Sequence, residues 1–294
     1  MAILPYINVP NIHIAGPVQI TSFGLLVAAG VLFGSWMGRR YAERHDMDEE
    51  VMRYLSIRII IWGFIACHVF NTVFYEWDRF QEEPLLMLKV WDGISSWGGV
   101  IGGALALYIY TGIRKLDRLR WGDWAAYAAM AAWVPGRLAC AVAHDHLGYP
   151  TTFGLGVDFP PHKYPFDKMS ATVVRAHDLG LYELMYLVPL LLVVLVLARW
   201  RGRKPGFLLG FVAVAYSIPR FFLDFLRRTE SDPRYLGLTF AQFSCILALL
   251  LGIRLLRRKV DSDPLPAAVI EPPGGQPRGA AAAKKPPVKK AKKK

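Results

Sequence analysis

The sequence is organised in long apolar blocks, and most of its charged residues lie between them. A helix that crosses a bilayer needs roughly 20 mostly apolar residues, and seven segments approach that length. They are residues 20–38, 57–74, 97–113, 124–142, 181–200, 206–226 and 238–256. Although 54% of the residues are hydrophobic, the formal net charge is +12. This segregation excludes an ordinary soluble domain and predicts an all-α, polytopic membrane protein with about seven transmembrane helices.

The basic residues of alternate connections predict the orientation of these helices. The connections after the first, third and fifth segments and the end of the seventh each hold four Lys or Arg residues. The other connections hold two or three, mixed with acids. Because basic loops stay in the cytoplasm, we expect the N-terminus outside, the C-terminus in the cytoplasm and residues 143–180 as an extracytoplasmic segment. The first block lacks a signal-peptide pattern and is expected to remain in the mature protein.

The last part of the chain, residues 261–294, differs from the rest in composition. It is rich in Pro, Gly and Ala and ends KKPPVKKAKKK. Such a segment cannot bury a core, so the sequence predicts a seven-helix domain over residues 1–260 and a disordered cytoplasmic tail. Anionic lipid head groups attract each Lys near a membrane surface by about 1 kcal/mol. The simplest interpretation is a solubilising and orienting tail; membrane lipids are expected partners, and nucleic acid is less expected.

Two arginines lie inside or at the edge of apolar segments, where a charge is costly. Arg137 follows a Pro-Gly pair in PGRLACAVAHDHLGYPT, and it either reaches out to the head groups or belongs to a functional site. Arg220 lies in AYSIPRFFLDFLRR, where helical spacing places Arg220, Asp224 and Arg227 on one face. This trio is either a structural ion pair between helices or part of a phosphate site, because a guanidinium group suits phosphate oxygens.

Further candidates precede the third and fifth segments. In RAHDLGLYELMY, Asp178 is expected to cap a helix, while Glu183 lies deeper in it. The glycines of WDGISSWGGVIGG, which include Gly98 and Gly99, permit close approach of a ligand or of a neighbouring helix.

Several polar residues have simpler interpretations. His68 and Asn71 are one turn apart and are expected to form hydrogen bonds between helices. His144 and His146 lack metal-ligand support, and no metal site is predicted. The three cysteines, Cys67, Cys140 and Cys245, are expected to be buried apolar residues.

Five stretches in this order resemble the prolipoprotein diacylglyceryl transferase family. They are ITSFGLLVAAGVLFGSWMGRRYAER, VWDGISSWGGVIGG, PGRLACAVAHDHLGYPT, RAHDLGLYE, and AYSIPRFFLDFLRR with the YLGLTFAQF that follows it. The resemblance covers about residues 5–258. It implies a multi-pass enzyme of the bacterial cytoplasmic (inner) membrane that needs no cofactor. Its expected partners are phosphatidylglycerol and a prolipoprotein signal peptide with a lipobox cysteine.

The resemblance also implies the reaction and its residues. The family transfers a diacylglyceryl group from phosphatidylglycerol to the lipobox cysteine thiol, forming a thioether and releasing glycerol phosphate. Arg137 and Arg220 match the family's two key arginines and are expected to hold the lipid phosphate, with Asp145 and His177 as further catalytic residues. The remaining expected substrate-binding residues are Gly98, Gly99, Gly148, Tyr182 and Glu183.

This chain departs from the family pattern at several positions. Trp97 stands at the usual His position of the glycine-rich segment, with Ser96 beside it, and Phe23 stands at the usual Tyr position of the first helix. Ala139, Cys140, Asp178 and Gly180 replace the family's usual Gly, Asn, Pro and Gln. These changes leave the base open among His177, Asp145 and His144. The alternatives are a catalytically inactive relative that binds lipid or lipoprotein precursors and, with less support, a transporter, for which the sequence shows no inverted repeat.

Overall fold

A computed structural model describes residues 6–7, 9, 12–15, 18–90, 93, 95–163, 173–200, 202–232 and 234–259. The described residues form eight α-helices, and all but the third are long and apolar enough to cross a membrane. They are α1 (Ser22–Arg44), α2 (Glu49–Phe74), α3 (Trp77–Glu82), α4 (Ser96–Ile113), α5 (Arg118–Ala143), α6 (Leu179–Leu197), α7 (Phe207–Leu223) and α8 (Phe240–Arg257). The seven predicted spanning helices are confirmed. The predicted tail, residues 261–294, lies outside the described residues.

Several helices extend beyond their apolar blocks because polar caps stabilise their first turns. Asp48 accepts a hydrogen bond from the Val51 amide at the start of α2. Asp117 accepts bonds from the Leu119 and Arg120 amides at the start of α5. A side-chain acceptor at this position satisfies amides that have no partner within the helix. Apolar length alone therefore underestimated α2 and α5 at their N-terminal ends.

Small residues allow the closest approaches between neighbouring helices. A Cβ atom built at Gly34 of α1 would lie 2.7 Å from the Cβ of Ala132 in α5. A Cβ at Gly102 of α4 would lie 2.6 Å from the carbonyl oxygen of Trp62 in α2, and one at Gly252 of α8 would lie 2.8 Å from the carbonyl oxygen of Gly210 in α7. In lipid, helices associate through such backbone contact because burial of apolar area gives little advantage there.

The two ends of the helical bundle differ in character. The connections α1–α2, α4–α5 and α6–α7 and the end of α8 lie at one end, which we call the basic face. There the Arg120 guanidinium donates to the carbonyl oxygen of His45, and Lys204 donates to those of Leu256 and Arg258. The other end, which we call the strand face, carries the connection between α5 and α6. Large apolar side chains such as Leu32 and Phe222 are exposed between the two faces, as lipid-facing residues should be.

Short strands outside the spanning helices were not predicted, so the all-α expectation holds for the membrane part only. Before α1 lie β1 (Ile12–Ala15) and β2 (Val18–Ile20). Residues 143–180 contain β3 (Leu147–Pro150), β4 (Val157–Phe159) and β5 (Val174–Asp178), which form an antiparallel sheet in the order β3–β5–β4. Two-stranded pairs join residues 12–15 to 18–20 and residues 234–235 to 238–239. Strands of two to five residues are too short to produce a readable alternation.

The prediction that His68 and Asn71 bond between helices is wrong. The His68 ring nitrogens lie 3.2 and 3.0 Å from the carbonyl oxygens of Gly93 and Leu86, and the Asn71 amide donates to Glu76 at 2.7 Å. All three partners belong to the connection between α2 and α4. This connection folds back over the end of α2, and its buried carbonyl groups require donors.

Candidate active site

Three helices bring two arginines and a glutamate together in the interior. Arg137 of α5 places its Nε 2.8 Å from Oε1 of Glu183 in α6, and Nε of Arg220 in α7 lies 3.7 Å from Oε2 of the same carboxylate. The Tyr216 hydroxyl donates to Glu183 Oε1 at 2.6 Å. The three charged residues are 7%, 2% and 5% exposed. Arg137 is therefore not an arginine that reaches out to the lipid head groups.

The cluster continues toward the strand face just beyond the end of α7. Arg220 Nη1 donates to Asp224 Oδ1 at 2.6 Å, and Arg227 Nε lies 3.3 Å from the same oxygen. Arg227 Nη1 lies 3.4 Å from Asp232 Oδ2. The predicted face of Arg220, Asp224 and Arg227 is therefore confirmed. Three arginines and three carboxylates balance in this cluster, so an anion that entered it would compete with the carboxylates for the guanidinium groups.

Thr239 connects this cluster to α8. Its hydroxyl donates to Asp224 Oδ2 and accepts from the Gln242 amide at 3.2 Å, while the Gln242 side chain accepts from the Thr239 amide at 2.9 Å. These reciprocal bonds form a capping box. The cap of α8 thus also fixes the carboxylate that pairs with Arg220.

A cavity of about 210 Å³ opens beside the two arginines. It has cationic, aromatic and neutral polar walls, and most of its lining comes from α4, α5, α7 and the connections at the strand face. The lining residues are Asn71, Tyr75, Ser95, Ser96, Trp97, Val100, Trp133, Arg137, His146, Tyr216, Arg220, Arg227, Ser231 and Asp232. Such a site can hold a polar head group against cations while aromatic walls contact apolar parts of a ligand.

Asp145 and His146 lie near the arginine pair in the loop after α5. Burial raises the pKa of the Asp145 carboxyl above its usual range, although 39% of the side chain remains exposed. Burial, followed by the charges of Arg227, Arg137 and Arg220, lowers the pKa of His146 well below its usual 6.5. Burial and these charges therefore favour the neutral form of the imidazole. The position of His146 on the cavity wall was missed because no sequence pattern predicted it.

Cys140, Asp145 and His146 place potential metal-ligand atoms within 4.8 Å of one another. Arg137 Nη1 lies 3.8 Å from the Cys140 sulfur. That fixed positive charge opposes a divalent cation, since like charges repel strongly in a poorly solvated site. The expectation that the chain needs no metal stays a prediction.

His177 and Tyr182 form a separate pair. His177 Nδ1 lies 3.0 Å from the Tyr182 hydroxyl, and burial lowers the pKa of His177. Neither residue lines the cavity. Gly148 lies beside His177, and a Cβ built there would come within 2.8 Å of the His177 Cβ and 2.7 Å of the Leu226 carbonyl oxygen. Gly148 thus permits the contact between β3, β5 and the end of α7, and its binding of substrate stays a prediction.

His144 is committed to other partners. Its Nδ1 lies 2.6 Å from Asp178 Oδ2, and its Nε2 lies 3.1 Å from the carbonyl oxygen of Ile7. Asp178 also accepts from the Leu181 amide at 3.1 Å, which confirms its predicted role as the cap of α6. Because both ring nitrogens of His144 contact protein acceptors, neither is directed at a substrate, and this weakens its candidacy as a base.

The glycine-rich start of α4 lies between the cavity and α2. Ser95, Ser96 and Trp97 line the cavity, and Trp97 stacks edge-on against Phe240 with ring centroids 5.7 Å apart. Gly98 contacts the Ala66 backbone, and a Cβ at Gly99 would lie 2.8 Å from the Cys67 sulfur. The packing of α4 on α2 therefore explains both glycines, and a contact of either with substrate stays a prediction.

Comparison with known proteins decides the family. The family model for prolipoprotein diacylglyceryl transferase matches residues 10–258. The chain belongs to this family. One relative, the phosphatidylglycerol–prolipoprotein diacylglyceryl transferase of Thermosynechococcus vestitus, is 29% identical over 85% of this chain and 93% of its own. The enzymes of the same name from Symbiobacterium thermophilum and Staphylococcus aureus strain JH9 are 25% and 26% identical over 87% and 82% of this chain and 94% and 85% of their own.

Because the chain belongs to the diacylglyceryl transferase family, the arginine cluster is its candidate active site. The matched region includes all seven spanning helices and every residue of the cluster. Trp97 and Cys140, two of the departures from the family pattern, both lie next to it, at the cavity wall and beside Arg137. The family match supports the hypothesis of a transferase over the hypotheses of an inactive relative and of a transporter.

Proposed function

We propose that this chain transfers a diacylglyceryl group from phosphatidylglycerol to the lipobox cysteine of a prolipoprotein. The observation that carries the proposal is the buried pair Arg137 and Arg220 on the cavity wall of a chain that belongs to this transferase family. Two buried guanidinium groups are suited to a lipid phosphate, because each presents several donors in a fixed plane. The chain acts in the bacterial cytoplasmic (inner) membrane, where it catalyses the first step of lipoprotein maturation.

The proposed orientation places the N-terminus outside and the C-terminus in the cytoplasm. The Lys and Arg residues of the loops at the basic face support it. The cavity and the strand face then lie toward the extracytoplasmic side, where a secreted precursor arrives. Phosphatidylglycerol enters laterally from the bilayer.

In the proposed reaction the cysteine sulfur attacks a glycerol carbon of the lipid. A carbon–sulfur bond forms, the carbon–oxygen bond to the phosphate breaks, and glycerol phosphate leaves with the bonding electrons. Arg137 and Arg220 bind the phosphate and stabilise the negative charge that grows on the leaving oxygen. Glu183 holds the two guanidinium groups apart and in place before the lipid arrives.

The thiol proton also needs an acceptor, because the thiolate is the nucleophile. We propose His146, which lines the cavity together with Arg137 and Arg220. Asp145, 3.7 Å from the His146 ring, is the second choice and can orient that ring. His177 ranks behind both because it lies outside the cavity lining. Contacts of substrate with Gly98, Gly99, Gly148 and Tyr182 remain predictions.

Complementation tests this function. The resident diacylglyceryl transferase of a bacterium that requires it is depleted, this chain is expressed, and the mass of a lipoprotein is followed. We expect a mass gain of one diacylglyceryl group and restored growth, and we expect Arg137→Gln and Arg220→Gln to abolish both. Arg175→Gln is the matched control, because Arg175 makes a comparable ion pair with Asp158 in the sheet, away from the cavity.

Failure of the wild-type chain, with the protein folded in the membrane, would contradict the proposed transfer. Full activity of Arg137→Gln or Arg220→Gln would contradict the assignment of the phosphate site. Loss of activity in Arg175→Gln would show that the assay responds to general instability.

A further inference from the structure

A second cationic groove lies at the basic face, at the opposite end of the bundle from the arginine cluster. It has a volume of about 400 Å³ and is formed by the turn between α4 and α5 together with the end of α8. Three cations, Lys115, Arg118 and Arg258, contribute to its lining with one acid, Asp117. The Asp117 carboxylate already caps α5, so three basic side chains face a single committed carboxylate.

The three cations have no carboxylate partner within the part of the chain that the structure describes. Salt bridges hold other arginines of the basic face, such as Arg39 with Glu43 and Glu49. Lys115, Arg118 and Arg258 form none among the described residues. Like charges that converge without a counterion repel one another, and a bound anion would relieve this repulsion.

Parts of the groove are held in place before any ligand binds. The Arg118 guanidinium stacks over the Tyr108 ring, 4.1 Å from its centroid. Lys204 Nζ donates to the carbonyl oxygens of Leu256 and Arg258 at 2.6 Å each, which fixes the backbone that carries the Arg258 side chain. A preorganised cation loses less conformational freedom when it binds an anion.

The position of the groove indicates the source of the anion. Lys115 and Arg118 lie just beyond the end of α4 and at the start of α5, and Arg258 directly follows α8, so the groove lies at head-group level. Ile113 and Tyr108 are 75% and 57% exposed beside it, on the lipid-facing side of α4. A ligand with a phosphate at the groove and acyl chains along α4 satisfies both surfaces.

The chain that follows Arg258 is a poor occupant. Residues 261–294 contain eight Lys and Arg residues against three acids. Their net positive charge does not complement a cationic groove.

We propose that this groove binds the head group of an anionic phospholipid in the leaflet at the basic face. Lys115, Arg118 and Arg258 contact the phosphate, and the acyl chains lie against Tyr108 and Ile113. The site is separate from the cavity at Arg137 and Arg220, and the proposal does not depend on the transferase function.

Native mass spectrometry of the full chain in detergent tests the proposal. The probe is short-chain phosphatidylserine, an anionic lipid other than the proposed substrate, added to the Arg137→Gln/Arg220→Gln variant so that the cavity does not contribute. We expect one phosphatidylserine to bind, and we expect the affinity to fall at least tenfold when three groove substitutions are added. They are Lys115→Gln, Arg118→Gln and Arg258→Gln.

A matched control removes the same charge from the same face outside the groove. Arg40→Gln, Arg53→Gln and Arg254→Gln together are expected to leave the phosphatidylserine affinity within about twofold. Phosphatidylcholine, which has a phosphate but no net charge, is expected to bind the chains with and without the groove substitutions equally. If the triple groove variant is not monodisperse, the single exposed substitution Lys115→Glu replaces it. We then expect the phosphatidylserine affinity to fall more than fivefold.

Three outcomes would overturn the proposal. One is equal phosphatidylserine binding with and without the groove substitutions. Another is an equal fall in the control triple variant, which would show only a general effect of surface charge. The third is displacement of phosphatidylserine by an equal concentration of inorganic phosphate, which would identify a site for free phosphate.

Discussion

Thr239 is expected to position Arg220 although it touches no ligand itself. Its hydroxyl donates to Asp224, which accepts from Arg220 at 2.6 Å, and it accepts from the Gln242 amide at the start of α8. Thr239 and Asp224 are 1% and 0% exposed, so water cannot replace the lost bonds. Thr239→Val keeps the shape of the side chain and removes both interactions.

The size of the effect follows from the two bonds. A hydrogen bond to a charged group contributes about 1.5–3 kcal/mol, and loss of a helix cap costs about 1 kcal/mol. We therefore expect Thr239→Val to lower the free energy of unfolding by about 2.5–4 kcal/mol. Because Asp224 would no longer be fixed, Arg220 would shift, and a displacement of about 1 Å at a reacting centre can cost 10²-fold in rate.

The assay is release of glycerol phosphate from phosphatidylglycerol with a lipobox peptide, alongside denaturant unfolding in detergent. Thr239→Val is expected to reduce kcat/KM more than tenfold at a temperature where the variant remains folded. Thr239→Ser keeps the hydroxyl and is expected to restore both activity and stability to near the wild-type level. Wild-type activity in Thr239→Val, or an equal loss in Thr239→Ser, would refute the argument that the hydroxyl positions Arg220 through Asp224.

Four further predictions concern the cavity and the helix packing. Arg137→Lys keeps the charge but loses the planar donor pair, so kcat/KM should fall about 10²-fold, measured by the same release assay. Glu183→Gln removes the ion-pair partner of the buried Arg137 and leaves Arg220 with Asp224, and it should cost about 3–5 kcal/mol of stability in denaturant unfolding; an unchanged midpoint would contradict the shared ion pair. His146 binds a proton more weakly in the folded chain than in the unfolded one, where its pKa is near 6.5. The wild type should therefore lose stability as the pH falls below that value, and His146→Gln should flatten this dependence in pH-resolved unfolding. Gly102→Ala should destabilise the chain by about 1–3 kcal/mol because its Cβ would meet α2, whereas Gly136→Ala, with nothing within 4 Å, should not; equal unfolding midpoints would contradict the packing.

The sequence predicted what depends on neighbours along the chain. Apolar length identified all seven spanning helices, and helical spacing placed Arg220, Asp224 and Arg227 on one face. The caps of the extended helices, such as Asp48 and Asp117, were not used to place their starts, and the predicted boundaries were correspondingly short.

Sequence reasoning identified Arg137 and Arg220 as unusual because an intramembrane charge is costly wherever the helix packs. It could not show that Glu183 lies between them, since Glu183 lies 46 positions after Arg137 and a long loop intervenes. With Trp97 at the usual His position, the sequence left the base open among His177, Asp145 and His144. The fold instead brings His146 to the cavity and commits His144 to Asp178 and Ile7.

The sequence by itself thus determined the membrane class, the number of spans and the charged residues that needed an explanation. These properties follow from apolar length and from local helical geometry, which act over a few residues. The tertiary structure decided which charges meet and which histidine faces the cavity. Those contacts depend on how closely the helices approach. Small residues such as Gly34 and Gly102 allow close approach to helices that are distant in the chain.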